Sequence, residues 1–268
     1  MNPRTYLFVP GDRPDRYGKA LAAGADAVIV DLEDAVAAEN KAGARKSLAD
    51  WAQRERGLAA TLWVRVNAAG SADFKDDLAA IARAGAMGVV LSKVESAAHV
   101  AAVRGAVPQA RVMALIESAR GVAALREICA APGIERLGFG SLDYAMDLGL
   151  SGDERGLIEP ASRMAIASRV AGIASPVAGV TTALDDAAAL RRDLDFARAV
   201  GFGAKLCIHP KQVAPVREAF APTPAEVEWA RRVIDATSSV AGAVQVDGRM
   251  VDRPVILRAR EILERAAS

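Results

Sequence analysis

Apolar and polar positions along this chain follow two alternating rhythms. Short runs of β-branched and aliphatic residues stand at 5–9 (TYLFV), 27–30 (AVIV), 61–66 (TLWVRV), 87–92 (MGVVLS), 111–116 (RVMALI), 136–140 (RLGFG), 177–181 (VAGVT) and 204–208 (AKLCI). Between them lie alanine-rich stretches of helical length. Three joins, LAAGADAVIV, IARAGAMGVVL and ARAVGFGAKLCI, share a design in which a helix stops at a glycine and the chain turns into the next strand. Eight strands separated by helices predict an α/β fold, a TIM (β/α)8 barrel with a C-terminal helical extension. A doubly wound nucleotide-binding sheet is disfavoured, because no G-x-G-x-x-G follows the first strand.

The boundaries expected are 1–218 for the barrel and 219–268 for the extension. The sixth and seventh strands start 41 residues apart, and DYAMDLGLSGDERGLIEP (143–160) reads as a long glycine-containing loop above the barrel, a candidate substrate lid. Beyond the eighth strand, Thr223, Pro224 and Glu226 form a capping box for a helix. Asp247-Gly248 signals a tight hairpin, and a final helix follows.

Barrel enzymes do their chemistry where strands end at the C-terminal face. The strand ends here carry Asp31, Glu33 and Asp34; Ser92 and Lys93; Glu117 and Ser118; Gly140, Ser141 and Asp143; Thr181 and Thr182; and His209. Strand alternation turns Arg65 inward, opposite Val64 and Val66. Glu117 and Asp143, 26 residues apart, should top adjacent strands about 5 Å apart. Two converging carboxylates without a nearby His or Cys favour Mg²⁺, with Mn²⁺ as the other ion such donors admit. Solvated loop acids are the plainer alternative. Arg65 can hold one of the acids after the second strand in a bidentate pair, with Glu33 weighted above Asp31 and Asp34. Backbone N–H groups at Gly140 and Ser141 would cradle a substrate carboxylate, and Arg13, Arg16 and Lys19 could grip a phosphorylated cofactor.

Composition narrows the classes. A net charge of +1 without acidic or basic blocks makes nucleic acid or a membrane surface an unexpected partner. No apolar run approaches the ~20 residues of a membrane span, and the N-terminus lacks a signal peptide's layout. Cys129 and Cys207 show no metal-site spacing and read as reduced thiols of a cytoplasmic protein.

The segments LFVPGDRPDR, VDLEDAV, WVRVN, LSKVES, ALIESARGV, FGSLDYAMDLG, GAKLCIHPKQV and DGRMVDRPV, in this order, resemble the citrate lyase β-subunit-like family of the citrate lyase, malyl-CoA lyase and 2-oxo-acid aldolase superfamily. The resemblance implies a Mg²⁺-dependent lyase that cleaves or forms a C–C bond between an acyl-CoA thioester enolate and a 2-oxo acid, on citryl-, malyl- or citramalyl-CoA. It implies Glu117 and Asp143 as metal ligands and Arg65 on the oxo-acid oxygen. Glu33 and Asp34 would support Arg65 and the metal's waters. Asp252 would reach a neighbouring subunit's active site and move the acetyl proton. A homo-oligomer follows, a trimer or a multiple of it.

Three rivals remain at this stage: an aldolase acting on a free 2-oxo acid without CoA, a Schiff-base aldolase using Lys93 or Lys205, and a subunit acting only on a carrier-protein thioester in a larger complex.

Overall fold

The computed structural model describes residues 2–55, 62–86, 88–152, 154–238 and 244–266. It divides into two units, Asn2–Val216 and, with Met1, Arg217–Ser268.

In the larger unit eight parallel strands close into a barrel in sequence order: β1 Thr5–Pro10, β2 Ala27–Asp31, β3 Leu62–Val66, β4 Gly88–Leu91, β5 Arg111–Ile116, β6 Ile134–Phe139, β7 Ala174–Ala178 and β8 Ala204–Cys207. Thr61 and Met87, with which two expected strands begin, lie outside the described residues. Alternation divides the strand side chains between two cores. Tyr6, Ile29, Trp63, Val90, Met113, Leu115, Val177 and Leu206 fill the interior. Their buried neighbours, such as Val28, Val64 and Val89, face the helices. At the N-terminal end the interior is plugged by Arg136, which donates to Pro3 O at 2.7 Å and Tyr6 Oη at 3.2 Å.

The three glycine joins form as the sequence indicates. Gly24, Gly85 and Gly201 have φ of 77°, 64° and 89°, the left-handed conformation that ends a helix and costs glycine no steric penalty.

Two expectations are corrected. Residues 143–160 are not a long loop: one helix spans Ser141–Leu148 and the next, Arg155–Ala171, begins after a short connection. The glycines that suggested a loop act as punctuation, Gly149 (φ 65°) ending the first helix in the left-handed conformation. The seventh strand lies at 174–178, a few residues earlier than the apolar run implied. The preceding helix stops at Gly172, so the chain joins the sheet at once. Gly179 and Thr181 then leave the sheet as an upper loop, held where Lys205 donates to Gly179 O and Gln212 to Thr181 O.

The smaller unit packs helices Pro224–Ser238 and Arg253–Ala266 with the hairpin β9 Val244–Val246 and β10 Arg249–Val251. Ala230, Val233, Val246, Val251, Ala259 and Ile262 form its core. The capping box is present, since Glu226 N donates to Thr223 Oγ1 at 3.2 Å and Thr223 N to Glu226 Oε2 at 2.8 Å. Asp247 and Gly248, both at positive φ, make the hairpin turn. Among the described residues no helix is long and apolar enough to cross a membrane.

Candidate active site

The parallel register of β2 and β3 sets Asp31 directly beside Arg65. Arg65 lies over the Phe8 ring at 4.9 Å inside the barrel, as alternation required. Its Nε and one terminal nitrogen donate to the two oxygens of Asp31 at 2.7 and 2.6 Å. The chain bends back after Asp31 because that carboxylate also accepts from Glu33 N and Ala35 N. Glu33 is thereby folded over the barrel mouth, 2.9 Å from the other terminal nitrogen of Arg65. Asp34 stays at the rim, 3.8 Å away and exposed.

The weighting of these acids therefore changes. Asp31, which the sequence left in second place, is the bidentate partner. Parallel register decides it: as the last residue of β2, Asp31 shares a register position with Arg65. Burial alone would lower the Arg65 pKa, but hydrogen bonding to Asp31 and the charges of Asp31 and Glu33 outweigh it and hold Arg65 cationic.

On the other side, Lys93 lies two residues past the end of β4, and its φ of 52° is unusual for a side-chain-bearing residue. This conformation lets its two ends serve different acids. Its backbone N–H donates to Glu117 Oε2 at 2.6 Å, and its Nζ donates to Glu33 Oε1 at 2.8 Å. Glu33 keeps its Lys93 cationic, so that amine is poorly suited to Schiff-base attack. Lys205 points away from the mouth: its Nζ donates to the carbonyl of Gly179 and lies 3.7 Å from Asp193. The Schiff-base reading thus loses both of its lysines.

Glu117, just past β5, is buried, and its pKa is pushed up to about 7 by loss of solvent and by the charges of Glu33 and Asp143. Gly140 makes room for it. A Cβ at 140 would lie 2.6 Å from Glu117 Oε1 and 2.9 Å from its Cδ. The Gly140 N–H is not free for substrate, as had been expected, because it donates to Ile116 O at 3.0 Å. The available donors begin at Ser141, which opens the helix carrying Asp143, and first-turn N–H groups have no helical acceptor.

The donor set suits a hard divalent cation. Glu33 Oε2 is buried and, despite its nearness to Arg65, has no hydrogen-bond partner, while Glu117 is held close to protonation by burial first and then by the charges of Glu33 and Asp143. Among the described residues no three His, Cys, Asp or Glu side chains converge as a self-sufficient cage. Mg²⁺ binds through one or two carboxylates and keeps several waters.

Arg13, Arg16 and Lys19 are exposed around the first helical turns, and Arg13 is engaged by Asp15 at 2.9 Å. His99 and His209 each accept a backbone N–H through Nδ1, from Glu95 and Lys211 respectively. Asn67 joins Asp77 beneath the helix layer. In the smaller unit Asp252 is exposed and accepts from Val255 N at 3.3 Å, at the start of the last helix.

The description HpcH/HpaI aldolase/citrate lyase matches residues 4–210, the whole barrel. The chain belongs to this family. Within the aldolase/citrate lyase family it is similar to the citrate lyase subunit beta-like protein of Deinococcus radiodurans, 39% identical over 279 residues that cover 98% of this chain and 97% of that one. It is 34% identical to a (3S)-malyl-CoA thioesterase of Cereibacter sphaeroides over 98% of this chain and 94% of that protein. The crystal structure of CitE from Mycobacterium tuberculosis in complex with magnesium, acetoacetate and coenzyme A superposes with a TM-score of 0.86 at 38% identity, covering 99% of this chain and 98% of that one. This is a family of carbon–carbon lyases on the TIM-barrel scaffold.

Proposed function

We propose that the chain is a Mg²⁺-dependent lyase that cleaves, or in reverse forms, a β-hydroxyacyl-CoA thioester, yielding acetyl-CoA or another acyl-CoA and a 2-oxo acid. The observation that carries the reading is the barrel mouth, where the buried carboxyl groups of Glu33 and Glu117 stand beside Arg65 and Lys93 and the Glu117 carboxyl is pushed up to about 7. With Asp31 counted and Glu117 ionised, three carboxylates face the two cations Arg65 and Lys93, a balance that one more cation restores. Magnesium bound to CitE in a similar structure supports its identity.

Glu117 and Asp143 would hold the ion, which supplies Lewis-acid polarisation of the oxygen that becomes the ketone. Arg65 has spent two N–H groups on Asp31 and can direct others to that same oxygen as charge builds on it. Ser141 and the following first-turn N–H groups orient the oxo-acid carboxylate. The substrate hydroxyl gives up its proton to solvent as its oxygen becomes the ketone, and breaking the C–C bond leaves its electron pair on the thioester enolate, whose carbon takes a proton from a carboxylic acid. Asp252 is assigned this role, acting in the site of a neighbouring copy within a homo-oligomer, a trimer or a multiple of three. Arg13, Arg16 and Lys19 are assigned to the CoA phosphates, and Asp34 to the outer water shell. The two free cysteines suit a reducing cytoplasm.

The test is thioester cleavage by the purified protein on malyl-, citramalyl- and citryl-CoA, each with Mg²⁺ and with EDTA. Release of acetyl-CoA and an oxo acid that EDTA abolishes is expected. Inertness on all three, with aldol turnover of a free 2-oxo acid, would replace this reading by the CoA-free aldolase. Activity appearing only with a carrier-protein thioester would replace it by a complex subunit.

A further inference from the structure

A cavity of about 290 Å³ lies outside the barrel wall, between the upper ends of β6–β8 and the helix Ala187–Ala199. Phe139, Phe196 and Phe202 make much of its wall apolar, while Thr181, Asp193 and Lys205 supply polar groups. These polar groups largely satisfy one another. Lys205, 2% exposed, donates to Gly179 O at 2.6 Å and faces Asp193 at 3.7 Å. Thr181 gives its hydroxyl to the same carboxylate. Glu154 and Asp193 in the lining outnumber its one lysine, so a second carboxylate brought by a ligand would find no uncompensated cation and would be desolvated at a cost. A hydrocarbon group would instead be sheltered from water.

The cavity adjoins the candidate site. Ser141 belongs to its lining. Gly179 closes the same wall: a Cβ there would lie 2.7 Å from both Ser141 Oγ and Phe139 O. Ser141 in turn follows Gly140, the residue that packs on Glu117. The cavity therefore begins where the carboxylate cradle ends. Its volume falls near the lower limit of small-molecule sites and suits part of a substrate.

We infer that this cavity receives the side chain of the 2-oxo acid, and that the chain takes 2-oxo acids with uncharged, branched side chains in preference to those ending in a second carboxylate. The inference rests on the lyase site proposed above.

Calorimetric binding to the full-length protein with Mg²⁺ separates the two, using pyruvate, oxaloacetate and 4-methyl-2-oxopentanoate. Pyruvate reports the cradle alone, and 4-methyl-2-oxopentanoate adds the cavity. The branched acid is expected to bind about tenfold or more tighter than oxaloacetate. Ala189→Phe, from the helix across the cavity, should remove that advantage while changing pyruvate binding less than about twofold. Ala183→Phe, from the loop, provides an independent block should the first variant fail to fold. Pyruvate binding without any preference for the branched acid would overturn this inference alone, as would variants that weaken both ligands alike. Failure of every oxo acid to bind would overturn the underlying site as well.

Discussion

Arg65 and Asp31 stand side by side on adjacent parallel strands and are joined by two hydrogen bonds of 2.7 and 2.6 Å. Both side chains are largely buried, so the pair is also a structural element: truncating one partner leaves a desolvated charge. Asp31→Ala is expected to destabilise the protein by about 3 kcal/mol or more, measured by urea unfolding. Arg65→Lys, which keeps the charge but cannot form the fork, should lose most thioester cleavage. Equal stability of Asp31→Ala and the parent would show that the pair is not a fixed part of the fold.

Gly140 is required for space rather than backbone freedom. Its φ is −81°, ordinary for any residue, yet a side chain there would meet the Glu117 carboxylate. Gly140→Ala should keep the circular dichroism spectrum and weaken Mg²⁺ binding more than about tenfold, because metal sites tolerate little displacement of their ligands. Unchanged metal affinity would place the ion elsewhere.

The Glu117 carboxyl is raised from 4.5 to about 7 in the folded state, chiefly by burial. Between these values the folded protein binds more protons than the unfolded chain. In EDTA, stability should therefore be greatest below about pH 4.5, so far as this group contributes, and fall as pH rises to about 7. Glu117→Gln should flatten that part of the profile. A parent and variant with parallel melting temperatures across the interval would contradict the assignment.

Lys93 adopts φ 52° in order to present its N–H to Glu117. Lys93→Gly and Lys93→Ala both lose the Nζ contact with Glu33, but only glycine relieves the backbone. The glycine variant should be more stable than the alanine variant by about 1 kcal/mol in chemical denaturation. The opposite order would mean that the left-handed conformation carries no strain.

The barrel was legible because its physics is local and periodic. Residues that alternate along a strand must face either the interior or the helices, and glycines such as Gly85 and Gly201 mark turns that other residues adopt at a cost. The same logic aimed Arg65 inward and gathered Glu33, Lys93, Glu117 and Asp143 at one end of the barrel. It misjudged 143–160, where glycine marks a helix end as readily as a loop.

What only the tertiary structure decided were the pairings. Asp31, Glu33 and Asp34 are chemically alike and adjacent in the chain. Parallel register gave Asp31 to Arg65, and the bend that Asp31 itself stabilises folded Glu33 toward both Arg65 and Lys93 and left Asp34 in water. Lys205 was likewise sent to the outer cavity by its parity along β8. Position along a strand is written in the sequence. Which charges share a desolvated space depends on register and on distances of a few ångströms, and those exist only once the barrel has closed.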